Sequence, residues 1–281
     1  MRNFYENFVK PSCGKAKSMV DFENKPSYDV NDLRKLLSLL CGPDGCPWDS
    51  EQTHESIRRN LLEEAYEAAE AIDEGDPGNL IEELGDVLMQ VVFHADIAER
   101  SGSFDLDDIS DATCKKLIRR HPHVFGDVRA RSGEESLVFW ENIKREEKLQ
   151  NTVADAMRSV ARSLPALWRA EKVQAKAAKA GFDWPDHTGA MHSLQTELRE
   201  LEDAISSGGN IGEELGDLLF SAVNVARFFD VDPEAALGSS CEKFIDRFAR
   251  VESVVRSRGQ RLEDKTLDEL EEIYQQVKLE K

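Results

Sequence analysis

"NLIEELGDVLMQVVFHADIA", residues 79–98, sets Glu82, Glu83 and Asp86 at the head of a run that is otherwise apolar. The word EELGD returns at 213–217, inside "NIGEELGDLLFSAVNVARFF", residues 210–229. On a helical wheel Leu80, Ile81, Leu84, Val87, Leu88, Val91 and Val92 cover most of the circumference of the first run. Glu83, Asp86 and Gln90 share one narrow stripe, with Glu82 beside it. In the second run Glu214, Asp217 and Ser221 share the equivalent stripe. A helix that is apolar nearly all round is expected to be buried, and these carboxylates partly buried with it. Buried carboxylates need a proton or a cation.

The flanking segments supply partners. Helical periodicity covers about 55–74, then "GDPGN" (75–79) makes a turn into a helix over about 79–99. Further on, a helix over 189–205, the turn "SSGGN" (206–210) and a helix over 211–229 repeat the arrangement. In an antiparallel hairpin, residues equidistant from the turn lie level. Glu64 pairs with Asp86 and Glu67 with Glu83 about position 75; Glu197 pairs with Asp217 and Glu200 with Glu214 about position 207. Each hairpin thus gathers four carboxylates, which repel one another unless they take up protons or a cation. A hard divalent ion with oxygen ligands answers this, Mg²⁺ first, with Mn²⁺ also suited.

The rest of the chain fits this frame. Helical patterns over 29–40, "DDISDATCKKLIRRH", "EESLVFWENIKREEK", 234–257 and 266–279, with few strand signals, predict an all-α protein. Residues 1–28 are aperiodic and read as a flexible extension. The first domain is placed at 29–150, a connecting helix and linker ending in "GFDWPDHTG" at 151–187, and the second domain at 188–281. The repeat extends beyond the acids: "CKKLIRRHPHV" (114–124) aligns with "CEKFIDRFARV" (241–251), and "WENIK" (140–144) with "YQQVK" (274–278). Four elements recurring in one order indicate tandem duplication. Among 281 residues the net charge is −19, which opposes nucleic acid and anionic membranes, so a phosphate-bearing ligand needs local cations or a metal. No apolar run is long enough to span a bilayer. Five scattered cysteines suit a reducing cytoplasm better than a disulfide framework.

The E-E-x-x-E at 63–67, E-x-x-D at 83–86, "CPWD" (46–49), "HPHVFGD" (121–127) and "WENIK" together resemble the MazG family of nucleoside triphosphate pyrophosphohydrolases, over roughly 29–281. The resemblance implies an all-α fold with two tandem domains, commonly homodimeric, binding Mg²⁺ through these acids. It implies conversion of an NTP or dNTP to the monophosphate and pyrophosphate, in nucleotide-pool control or house-cleaning. It further implies Lys243 and Arg247 as phosphate ligands, Asn210 and Glu213 at the mouth of the acid helix, and Tyr274, often Trp in the family, as a base-stacking aromatic. Lys116 and Arg120 are the first-half counterparts of Lys243 and Arg247. Glu63, Glu82 and Glu213 are candidates for the general base. In "TELRE" (196–200) Thr196 stands where the first half has Glu63. The family generally places catalysis in its C-terminal half; the sequence leaves open which half works here.

Other readings stand beside these. Glu63, with Glu70, fits a solvated helix face, and Lys243 and Arg247 fit a solvated basic one. Trp48 fits a base platform or a core side chain equally well. A di-iron bundle would need two Glu-x-x-His motifs, and "EQTH" (51–54) is alone. The non-enzymatic alternative is a helical interaction protein whose metals only hold its hairpins together; the recurrence of Lys/Arg pairs alongside the acids favours the enzyme.

Overall fold

The computed structural model describes residues 21–147 and 152–279. Residues 1–20, most of the segment read as an extension, lie outside the described residues. Among the described residues the chain forms thirteen α-helices and no strand, so the all-α expectation holds. It divides into two compact units, Met1–Trp140 and Glu141–Lys281.

In the first unit α1 (Val30–Leu40), α2 (Pro47–Ser50), α3 (Arg58–Glu74), α4 (Pro77–Arg100), α5 (Leu106–Arg120) and α6 (Pro122–Phe125) follow in order. Helix α7 (Gly133–Glu147) crosses the division. Helix α1 starts at a reciprocal cap, in which the Asp29 carboxylate accepts from the Asp32 N–H and Asp32 accepts from the Asp29 N–H. It lies on α4, where Leu37, Cys41, Ile57, Val92 and Phe93 make the core. Helix α3 ends at Gly75, in the left-handed conformation (φ 67°) that a residue without Cβ adopts at little cost. The chain turns at once into α4, with the Asp76 carboxylate accepting from the Gly78 and Asn79 N–H groups and Pro77 at the first helical position.

The second unit contains α8 (Val153–Arg158), α9 (Ala166–Lys179), α10 (His187–Ser207), α11 (Ile211–Phe228), α12 (Pro233–Ser257) and α13 (Leu267–Leu279). Helix α10 closes on Gly208 (φ 75°), as α3 does on Gly75, and packs along α11. Val251 and Val255 of α12 meet Ile273 and Val277 of α13 in a second core. Burying each of those valines contributes roughly 1.5 kcal/mol. The segment read as a connector carries α8 and α9, and α9 packs on α11 and α12, with the Gln174 amide donating to the Phe220 carbonyl at 2.8 Å.

Two features qualify the repeat and the burial read from the sequence. The aligned segments 114–124 and 241–251 differ in form. Helix α5 stops at Arg120 and Pro122 opens a new short helix, because proline cannot continue the ladder. Helix α12 runs through the same stretch without a break. Second, α4 and α11 are not enclosed by their own chain. Ile81 is 76% exposed, and Leu84, Leu88, Ile211, Leu215, Leu219 and Phe220 are also exposed. The wheel identified an apolar surface correctly, but hydropathy does not say whether the chain's own fold encloses it.

Cys41 is buried beside Asp96, and burial first, then the Asp96 carboxylate, push its thiol up to about 12. Only a thiolate alkylates readily. Iodoacetamide at pH 8 followed by peptide mapping is therefore expected to leave Cys41 unmodified in the native protein and to modify it after denaturation.

Candidate active site

The two hairpins present their acids differently along the chain and alike in space. On α3 and α4, Glu64, Glu83 and Asp86 each offer an oxygen within 4.8 Å of the others. Glu67, more exposed, lies close enough to raise the carboxyls of both Glu64 and Glu83. On α10 and α11 the mutually close set is Glu197, Glu200 and Glu214, with Asp217 near enough to act on Glu197 and Glu214. The i,i+3 spacing on each helix, with one glycine-capped turn between the helices, brings them level.

The electrostatics show what this costs. Desolvation first, then the neighbouring acids, holds the carboxyls of Glu64, Glu83, Glu197 and Glu214 above their usual value of 4.5. For Glu64 the strongest repelling charge is Asp86, and for Glu83 it is Glu67, the pairs equidistant from the turn. In each case the charged neighbours that weigh most on the carboxyl are acids, with no Lys or Arg lowering it among them. Farther along the stripe on α4, Gln90 is 4% exposed, and its Oε1 has no hydrogen-bond partner among the described residues. Ser221 occupies the equivalent place on α11 and shares a hydrogen bond with Ser193 across to α10. An all-oxygen donor set that lacks neutralising charge fits a hard divalent cation such as Mg²⁺.

The remaining candidates fall in distinct places. Glu63 is exposed and ion-paired to Arg59 at 2.7 Å, one helical turn before it. Glu82 and Glu213, equivalent in the repeat, are exposed next to Glu83 and Glu214. Asn210 caps α11: its amide oxygen accepts from the Glu213 N–H at 3.3 Å, and its amide nitrogen donates to the Glu213 carboxylate at 3.0 Å. Lys243 is exposed and Arg247 half-buried on α12. That helix packs mainly on α13 and α9, so the fold does not dock it on the acid-bearing pair. Tyr274 tilts against Phe244 with ring centroids 6.0 Å apart, and Phe244 stacks on Phe248 at 6.1 Å. In the first unit Lys116 is exposed, while Arg120 is 8% exposed with its guanidinium 5.0 Å over the Trp140 ring. Trp48 stands 59% exposed on α2, away from the core.

The halves differ in one respect that motif matching does not reveal. Glu213 and Glu214 lie in the first turn of α11, whereas the first turn of α4 carries no acid and Glu83 comes seven residues after the cap. Glu213 and Glu214 therefore sit at the positive end of α11, where unpaired N–H groups favour negative charge. Sequence reading also missed the His54–His94 pair, Nδ1 to Nδ1 at 2.8 Å with stacked rings. The two residues are forty positions apart, and no local signal joins them.

The MazG nucleotide pyrophosphohydrolase domain matches residues 52–125 and 186–251, one segment around each hairpin. The chain is 42% identical over 247 residues to a nucleoside triphosphate pyrophosphohydrolase/pyrophosphatase MazG of Thermotoga maritima, across 88% of this chain and 94% of that one. The chain belongs to the MazG family. It is accordingly a hydrolase. A nucleoside triphosphate pyrophosphohydrolase of Escherichia coli is 43% identical over 257 residues, 89% of this MazG chain and 98% of its own length. One of Mycolicibacterium smegmatis is 37% identical over 244 residues, 86% of this chain and 64% of the relative. The tandem hairpins described above are thus the two MazG repeats, and no helix among the described residues is long and apolar enough to cross a membrane.

Proposed function

We propose that this MazG protein is a Mg²⁺-dependent nucleoside triphosphate pyrophosphohydrolase, converting an NTP or dNTP and water to the monophosphate and pyrophosphate. It would serve nucleotide-pool control in the cytoplasm. The observation that carries this is the pair of carboxylate clusters held above their usual range by burial and by one another. Glu197, Glu200, Glu214 and Asp217 would hold Mg²⁺ in the second half, and Glu64, Glu67, Glu83 and Asp86 in the first; Mn²⁺ would substitute. When bound, the ion supplies charge neutralisation for the phosphate oxygens and lowers the pKa of a coordinated water.

The working half in this reading is the second. Its Glu214 lies at the N-terminus of α11, where Asn210 and the first-turn N–H groups favour a polyphosphate. Glu213, already oriented by the Asn210 amide, takes the proton of the attacking water. The water oxygen bonds to the α-phosphorus as the bond from that phosphorus to the α–β bridging oxygen breaks, and pyrophosphate leaves. Lys243 and Arg247 hold the departing phosphates and Tyr274 supports the base. Because α12 is not docked on the acids within one chain, a homodimer completes the site. Its interface uses the exposed apolar positions Leu198, Leu215, Leu219, Ile245 and Phe248.

The test is product analysis with purified protein, Mg²⁺ and a panel of NTPs and dNTPs. Monophosphate and pyrophosphate in equal amounts, lost on chelation, are the expected result. Orthophosphate alone would sink the assignment of the bond. Metal-dependent thermal stabilisation without turnover would favour the structural-metal reading instead.

A further inference from the structure

The second unit holds an open cavity of about 560 Å³ between the end of α7, α8 and α9, lined by none of the clustered acids. Lys144 and Arg145 from α7 and Lys172, Lys176 and Lys179 from α9 line it. The α9 lysines recur at four and three residues, so they share one helix face. Residues 141–180 carry nine Lys or Arg against five Asp or Glu, within a chain of net charge −19. Glu141, ion-paired to Lys179, is the carboxylate among the lining groups. Val153, Val160 and Leu164 add an apolar wall.

We infer that this cavity is a second, metal-independent binding site for a nucleoside polyphosphate. The volume falls within the range of small-molecule sites, roughly 300–1,000 Å³. The cations match several phosphates at once, and the apolar wall suits the face of a nucleoside. At the acid clusters a metal must bring the positive charge; here side chains bring it. None of the lining residues belongs to the catalytic constellation proposed above, so the inference stands whether or not that reading does. Occupancy bears on the acid helix by a short route. Gln174, between Lys172 and Lys176 on α9, is buried and holds the α11 backbone at Phe220. A ligand that orders α9 therefore biases the helix that carries Glu214 and Asp217.

The experiment is calorimetric titration of ATP into the full chain in excess EDTA, where the acid clusters hold no metal. Saturable binding at one site per chain is expected. Arg145→Ser with Lys172→Ser, both at exposed positions, should weaken it at least about tenfold. The charge-preserving pair Arg145→Lys with Lys172→Arg should retain it. Glu197→Gln with Glu214→Gln should leave it within about twofold. No binding in EDTA, or binding indifferent to the Arg145/Lys172 serine pair, overturns the site. Inorganic pyrophosphate binding as tightly as ATP overturns the nucleoside assignment, because the apolar wall would then contribute nothing.

Discussion

Glu197→Gln lowers pyrophosphate release by about 10²–10³-fold, while Glu64→Gln changes it by less than about threefold. The first figure is typical for removing one group that organises charge around a reacting phosphate. The second follows if the two hairpins act as independent sites. The expectation rests on three contrasts between halves of one chain. Glu213 and Glu214 occupy the first turn of α11, and no acid occupies the first turn of α4. Arg247 is half-buried on an unbroken helix, whereas Arg120 is buried over Trp140 at the end of an interrupted one. Asn210 orients Glu213, while the α4 cap, Asp76, bonds Gly78 and Asn79 and lies six residues before Glu82, the equivalent acid. Steady-state kinetics of the two variants with a single NTP decides the matter. Equal losses, or the larger loss at Glu64, would reverse the assignment of halves.

The same substitution should raise the melting temperature of the metal-free protein by about 2–4 °C. The Glu197 carboxyl is held above its usual value of 4.5, by burial first and then by Glu200, Asp217 and Glu214. A carboxyl raised in the folded state favours folding fully below its unfolded pKa. That advantage is lost as pH rises through the folded pKa. At pH 7 the metal-free cluster is thus a destabilising element, and glutamine, which carries no charge, relieves it. Two corollaries fix the sign. The gain from Glu197→Gln should shrink as the pH is lowered towards 4.5. Added Mg²⁺ should raise the wild-type melting temperature at pH 7 and do so less at pH 5, since protonated carboxyls bind the ion poorly. Scanning calorimetry in EDTA and in Mg²⁺ measures all of these; a metal-free Glu197→Gln protein less stable than wild type would refute the strained-cluster account.

The acid pairs were legible in the sequence because three local signals coincide there: i,i+3 acids, an apolar run around them and a glycine turn between. Gly75 and Gly208 close their helices where "GDPGN" and "SSGGN" place a turn. The family resemblance added the chemistry that geometry alone leaves open. What was not legible depends on residues distant in the chain and on which faces the fold leaves open. Ile81 and Leu215 look like core residues to any hydropathy measure, yet they lie exposed on this chain. The short helices α2 and α6 begin at Pro47 and Pro122, residues that read as breakers of the preceding helix rather than as first positions of the next. The cationic cavity draws on α7 and α9, whose lysines look like ordinary solvated faces until the fold apposes them.

The hairpins also differ in where their return helices begin. Glu67 and Glu200 each stand eight residues before the left-handed glycine. Glu83, however, comes seven residues after its cap, Asp76, and Glu214 only four after Asn210. The difference of three is close to one helical turn, so both return helices keep their acids nearly in line with those of the outgoing helix. A deletion of one or two residues in the helix would have swung them to another face. Chimaeras that exchange single helices between the halves will misalign the acids along the axis, and those that exchange Arg58–Arg100 with His187–Phe228 entire will not. The hairpin with its turn is thus the smallest piece of this molecule that could be inherited, copied and still carry its chemistry.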